Sequence, residues 1–294
     1  MKYMEPEMVR NKMRFRVQLN KIFQVCFFLA TIFGLIVLAV LIVRVLNQGL
    51  SYLNMNFLTG KLSTNPDQAG IMGAILGTFW LMAVVVPITT ILGVGTAIYN
   101  ELYAKKGRMQ SVIQTNIANL AGVPSIVYGI LGMTIFARAL NFGSVVLAGG
   151  LTMSLLVLPI VIVASQEAIR SVPQHLAEAS YGIGATKWQT VKNIILPASL
   201  PGILTGSILA LSRAIGETAP LVVLGIPALL IPFPSGIFDR FTVLPMQIYY
   251  WTIDASLVEE YAYLASATII VLLVLLFMLN STAIIIRNKF QQRY

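Results

Sequence analysis

From Ile22 to Val43 the chain runs without one charged side chain. It does so again from Ile71 to Tyr99, Ile117 to Ala137, Val145 to Ala164 and Ala262 to Ile286. Each run has roughly the 20 residues that an α-helix needs to cross a bilayer core of about 30 Å. A sixth, Gly202 to Leu224, has the same length but holds Arg213 and Glu217. Such runs exclude a soluble core wrapped in a polar surface. The composition agrees: 57% of residues are hydrophobic and 11% charged, under half the charged share of a soluble domain, about 25%. The reading is an all-α integral membrane protein with six transmembrane helices.

Orientation follows from the lysines and arginines. The N-terminal tail carries Lys2, Arg10, Lys12, Arg14, Arg16 and Lys21; the second-to-third loop carries Lys105, Lys106 and Arg108. The fourth-to-fifth loop carries Arg170, Lys187 and Lys192, and the C-terminal tail Arg287, Lys289 and Arg293. The other side holds only Arg44, Lys61, Arg138 and Arg240. Cytoplasmic loops carry the positive excess, so both termini are expected in the cytoplasm, in line with an even number of spans. This also accounts for the net charge of +9 without nucleic acid, because the cations flank spans and form no stripe. The single cysteine, Cys26, excludes an internal disulfide and a cysteine-rich metal site; inside the first span it reads as a small buried hydrophobe. That span starts too late and runs too long for a cleavable signal peptide.

Gly73 and Gly77, and Gly202 and Gly206, have the four-residue spacing that lets helix backbones approach in lipid. Pro87 and Pro159 lie inside spans and predict kinks. The outer loop Gly225–Tyr261 is rich in proline and aromatic residues, which suits the membrane interface or a protein partner.

The fourth-to-fifth loop reads as a folded unit. Ser171 and Pro173 suit a helix start, Gly182 and Gly184 a helix stop. Thr186 is a candidate cap for a second helix through Trp188 to Leu196, which Pro197 is expected to end. His175, the only histidine, has no metal-ligand companions and reads as solvated or partner-facing. Within this loop Glu178-Ala179-Ser180, then Gly184, then Ile194-Ile195-Leu196-Pro197 resemble the EAA loop of ABC importer permeases, with Ser180 replacing the second alanine of that pattern. The resemblance implies a type I ABC importer permease whose loop docks on an ATP-binding subunit. By it, Glu178, Ala179, Ser180, Gly184, Ile194, Leu196 and Pro197 are ATPase-coupling residues. The chain has no P-loop of its own: GIGATKW, from Gly182, lacks the GxxxxGK[ST] spacing. ATP hydrolysis is therefore expected in another chain.

An arginine near mid-membrane costs about 2.5–3.5 kcal/mol on insertion scales. Arg213 and Glu217 are four apart, share a helix face and can pair, which directs both toward the bundle interior. One reading is a structural ion pair. The other is a charged group beside a polar pathway, with a permanently charged guanidinium that forks onto an oxyanion. The neighbouring carboxylate would keep the anion from being held too tightly, and can accept a hydrogen bond from a protonated phosphate.

SRAIGETAP (Ser212 to Pro220), with GVPSIVYGILG (Gly122 to Gly132) and LPMQIYYWT (Leu244 to Thr252), resembles the PstA-type permeases of phosphate-specific ABC transporters over about residues 70 to 290. The resemblance implies a PstB-type ATP-binding dimer, a second permease of PstC type, a PstS-type phosphate-binding protein outside the membrane, and no cofactor. The expected organisation is a tail at 1–21, a first transmembrane helix and outer loop at 22–69, and a transporter domain at 70–290 with its coupling loop at 165–200. Another oxyanion, such as molybdate, sulfate or phosphonate, is the alternative cargo. A stand-alone secondary transporter would lack the EAA pattern. A membrane enzyme would need converging nucleophile and base or metal ligands, which one histidine, one cysteine and scattered carboxylates do not supply.

Overall fold

The computed structural model describes residues 6–227 and 233–290. Lys2, Arg293 and residues 228–232 of the outer loop lie outside them. In chain order the α-helices are α1 (Pro6–Gly49), α2 (Met55–Thr59), α3 (Met72–Ile98), α4 (Arg108–Leu120), α5 (Ser125–Gly132), α6 (Val146–Arg170), α7 (Gln174–Gly182), α8 (Lys187–Thr190), α9 (Leu196–Gly216), α10 (Ala219–Val223), α11 (Leu244–Asp254) and α12 (Glu260–Phe290). Wider π-helical turns occur at Tyr99–Tyr103, Met133–Ala139 and Val191–Ile195. Five helical runs among the described residues are long and apolar enough to span alone, and α4 with α5 and its π extension counts as a sixth when the bent pair is taken as one span.

That third span is not the straight helix expected from Ile117 to Ala137. It bends by 99° between Leu120 and Ser125. The reason is Gly122-Val123-Pro124: proline has no N–H, and the residue before it is pushed out of the α region. The bend is closed by Tyr128, whose hydroxyl donates to the Leu120 carbonyl at 2.8 Å. On α4 only Gln110, Gln114 and Ile117 are covered, one stripe at helical spacing.

The centre of the bundle is α6, packed between α3 and α9. Glycines set both crossings. A Cβ on Gly93 would stand 2.7 Å from Val161, and one on Gly150 would stand 2.5 Å from Val84, so α3 and α6 run parallel. On the other side Gly202 faces Ala168 and Gly206 faces Ala164, so α9 runs antiparallel to α6. The Gly202/Gly206 spacing therefore meets a matching pair of alanines. Pro87 and Pro159 sit inside continuous helices.

Two expectations change. Cys26 is exposed, not buried. Helix α1 leaves the bundle and joins it only at its end, where Gly49 lies against the α12 backbone at Ser266 and Ala267. The outer loop is also more than an interface layer. Phe241, Thr242 and Leu244 are buried in the core, with the Phe241 ring against Gly149 and the Thr242 carbonyl over Gly77. The inserted segment of loop satisfies backbone groups that lipid could not. Val146 N–H donates to Asp239 O and Leu147 N–H to Ile237 O, filling the open N-terminus of α6. Ser144, Tyr250 and Trp80 side chains donate to the carbonyls of Leu224, Ile226 and Pro234. The Ser235 hydroxyl, with the Ser235 and Gly236 N–H groups, holds the Asp239 carboxyl below the usual carboxylate range.

Gly206→Leu should overpack the α6–α9 crossing and cost about 1–3 kcal/mol, read as a lower Tm of the detergent-solubilised protein. Gly34→Ala, at a glycine with no heavy atom near its Cβ position, should leave Tm unchanged or slightly raised.

Candidate functional sites

The first candidate site protrudes from the basic face. Helix α7 begins after Pro173 and ends at Gly182, and Gly184 takes the left-handed conformation at φ +86°. Ser171 does not cap it. Its hydroxyl donates back to the Ala168 carbonyl at 2.8 Å, so it closes α6 instead. Thr186 does cap α8, in a reciprocal box with Gln189.

Pro197 does not end the second helix. Lys187–Gly216 is one unbroken helical run. The π turn just before it makes this possible: Leu196 N–H reaches back to Val191 O. Pro197 then follows that register shift directly, in the first turn of α9. The loop therefore feeds directly into α9.

Glu178 and Ala179 lie exposed on α7, and Gly184 on the turn after it. Ser180 is buried, and its hydroxyl shares a hydrogen bond with the Thr190 hydroxyl at 2.9 Å. The departure from alanine thus ties α7 to α8. Ile194, Leu196 and Pro197 are half-buried at the root of the loop. The tip shows side chains that sequence reasoning passed over: Ile183 is 88% exposed and Trp188 60%, with Tyr181 beside them. Their signal was large apolar residues next to the glycines of a polar loop. His175 is exposed.

The second candidate site is the end of α9. Arg213 Nε lies 3.4 Å from Glu217 Oε1. The pair does not share a helix face as expected, because α9 stops at Gly216 and Glu217 is extended. Arg213 sits in the last turn, where unpaired carbonyls favour a cation. Its side chain is 65% exposed and that of Glu217 20%. The arginine therefore points away from this chain's own bundle, on one stripe with the exposed Leu209.

Depth comes from α12, which runs antiparallel. Arg287 donates to Thr205 at 3.3 Å, and Ser212 pairs with Asn280. Arg213 thus lies about 12 Å further along α9 than the Thr205 level, at 1.5 Å per residue. A groove of 490 Å³ between α3, α9 and α12, with walls such as Val94, Leu204 and Ile286, does not include Arg213. Among the described residues no cluster of metal-ligating side chains occurs.

Comparison with known proteins places this arrangement. The family described as binding-protein-dependent transport system inner membrane component matches residues 89–291. The probable ABC transporter permease protein YqgI of Bacillus subtilis is 35% identical over 175 residues, 60% of each chain. The phosphate transport system permease protein PstA of Yersinia pestis is 34% identical over 215 residues, 72% of each. The chain thus spans about three fifths of the first relative's length. Among solved structures, a bacterial alginate ABC transporter in complex with its alginate-bound periplasmic protein aligns with TM-score 0.63 at 16% identity, over 94% of both chains. That likeness shows the fold, a type I ABC importer permease.

Ser180→Ala restores the second alanine of the loop pattern but removes the tie to Thr190. It should cost about 1 kcal/mol locally and speed amide hydrogen exchange of residues 174–190 roughly fivefold.

Proposed function

The chain belongs to the family of binding-protein-dependent transport system inner membrane components, and we propose that it is the PstA-type subunit of an ATP-driven phosphate importer in the bacterial inner membrane. It forms half of the translocation pathway. A second permease of PstC type supplies the other half, a PstB-type dimer hydrolyses ATP, and a PstS-type protein delivers the anion.

One observation carries this reading: a guanidinium in the last turn of a helix long and apolar enough to cross a membrane, on a face that its own chain leaves uncovered. Facing lipid, that charge would cost a few kcal/mol. Facing a second permease across a polar path, it meets a desolvated oxyanion with two parallel donors. Glu217, on the non-helical residue that follows α9, engages Arg213 through Nε at 3.4 Å. Relatives named as phosphate transport permeases support phosphate as the cargo.

The coupling residues act at the other end of the same helix. In this reading Glu178, Ala179 and Gly184 meet the ATP-hydrolysing subunit together with the exposed tip at Ile183 and Trp188. Ser180 keeps the docking helix fixed on α8. Ile194, Leu196 and Pro197 form the root through which displacement enters α9. Because Lys187–Gly216 is one helical run, a shift at the loop reaches Arg213 as a movement of the helix.

The test is labelled phosphate uptake by the whole complex in cells lacking other phosphate importers. Arg213→Gln should assemble with the ATPase and lose at least about tenfold of uptake, since it removes an interaction worth more than 1.4 kcal/mol in a dry site. Arsenate should compete with wild-type uptake, and sulfate and molybdate should not. Normal uptake by Arg213→Gln makes the pair scaffolding. Competition by molybdate or sulfate moves the cargo to another oxyanion.

A further inference from the structure

The coupling loop leaves α6 and returns through α8 into α9. By covalent connection alone, its displacement reaches only those two helices. Side chains at its two ends reach a third.

Arg170 is the last residue of α6. Its guanidinium forks onto both oxygens of Glu101: Nε donates to Oε2 at 2.9 Å and Nη2 to Oε1 at 2.7 Å. Nη1 donates to Glu167 Oε1 at 2.8 Å, one turn back on α6. Glu101 belongs to the π turn Tyr99–Tyr103 that ends α3, and its side chain is only 14% exposed. At the other end of the loop, Lys187 opens α8. Its ammonium lies 4.7 Å from the ring centre of Tyr103, in that same turn. Two cations from the two ends of the loop thus converge on one turn of α3.

The turn is also where α4 is fastened. Gln110 Nε2 donates to the Asn100 carbonyl at 3.0 Å. One turn on, Gln114 and Gln166 of α6 exchange amide hydrogen bonds at 3.0 and 2.9 Å. Helix α4 leads through its 99° bend into α5. There Gly129 packs on Pro220, three residues after Glu217. A π turn is a local register fault, here marked by the Ala104 N–H bond to Tyr99 O, and such turns concentrate where helices shift. An isolated exposed ion pair would contribute little. This one is bidentate, and its carboxylate is mostly covered.

We infer that Arg170 and Glu101 form a positioning pair that carries displacement of the coupling loop to α3 and, through α4 and α5, to the α10 contact beside Glu217. The pair acts through the helices and touches no substrate. The inference rests on the reading of Gln174–Gly182 as the segment that docks on an ATP-hydrolysing subunit.

The experiment reconstitutes the complete complex in liposomes with its binding protein and measures phosphate taken up per ATP hydrolysed. Wild-type uptake and co-purification of the ATPase come first, and failure there overturns the proposed function rather than the pair. Glu101→Gln and Arg170→Gln should keep the ATPase bound and keep its hydrolysis within about twofold, while uptake per ATP falls roughly tenfold. Arg170→Lys keeps the charge but loses the fork, and should give a smaller fall in the same ratio. If the glutamine variants do not assemble, Arg170→Lys decides alone. A wild-type ratio in variants that assemble overturns the inference, and so does a loss of uptake and hydrolysis in equal proportion.

Discussion

Lipid gives a helix no hydrophobic reason to meet another helix, so this bundle depends on how closely backbones approach along α6. Gly93 and Gly150 open the contact with α3, and Gly202 and Gly206 the contact with α9. Dispersion and weak polar contacts then act over the length of three helices. Both candidate sites are suspended from this trio. The end of α6 at Arg170 starts the loop that holds α7, the start of α9 at Leu196 receives it through α8, and the far end of α9 carries Arg213.

The same solvent that demands close packing also decides where the chain can stop being helical. Inside hydrocarbon an unpaired N–H or C=O costs several kcal/mol. Breaks near the spans are accordingly given hydrogen-bond partners from within the protein. Tyr128 closes the bend before α5. The inserted loop around Phe241 is held by Thr78, whose hydroxyl accepts from Leu244 N–H, and by donors from Ser144, Tyr250 and Trp80. The end of α9 differs in kind. It places a cation in the last turn, where the carbonyls are open, and turns that cation outward. A break that serves only the fold would need no charge there.

Much of this was legible in the chain because span length, charge asymmetry and the EAA spacing are one-dimensional signals. Direction is not. Hydropathy cannot tell a straight span from a bent one, although Gly122 and Pro124 were in plain view. Pro197 read as a stop because a π turn, which absorbs it, leaves no composition signature. Helical spacing also says which residues share a face but not which neighbour covers it. For that reason Arg213 was expected inward and lies outward, and Cys26 was expected buried and is exposed. Ser180 looked like a blemish in a motif; only its contact with Thr190 explains it.

The central claim is that the Leu209–Arg213 stripe lines a water-filled path and does not face lipid. Leu209→Cys in a Cys26→Ser background tests it most directly, using the assembled complex and two thiol reagents, one charged and membrane-impermeant, one lipid-soluble. The account predicts modification by the charged reagent, at a rate that changes when ATP and loaded binding protein are added. Protection from the charged reagent in every state, with modification by the lipid-soluble one, would contradict it.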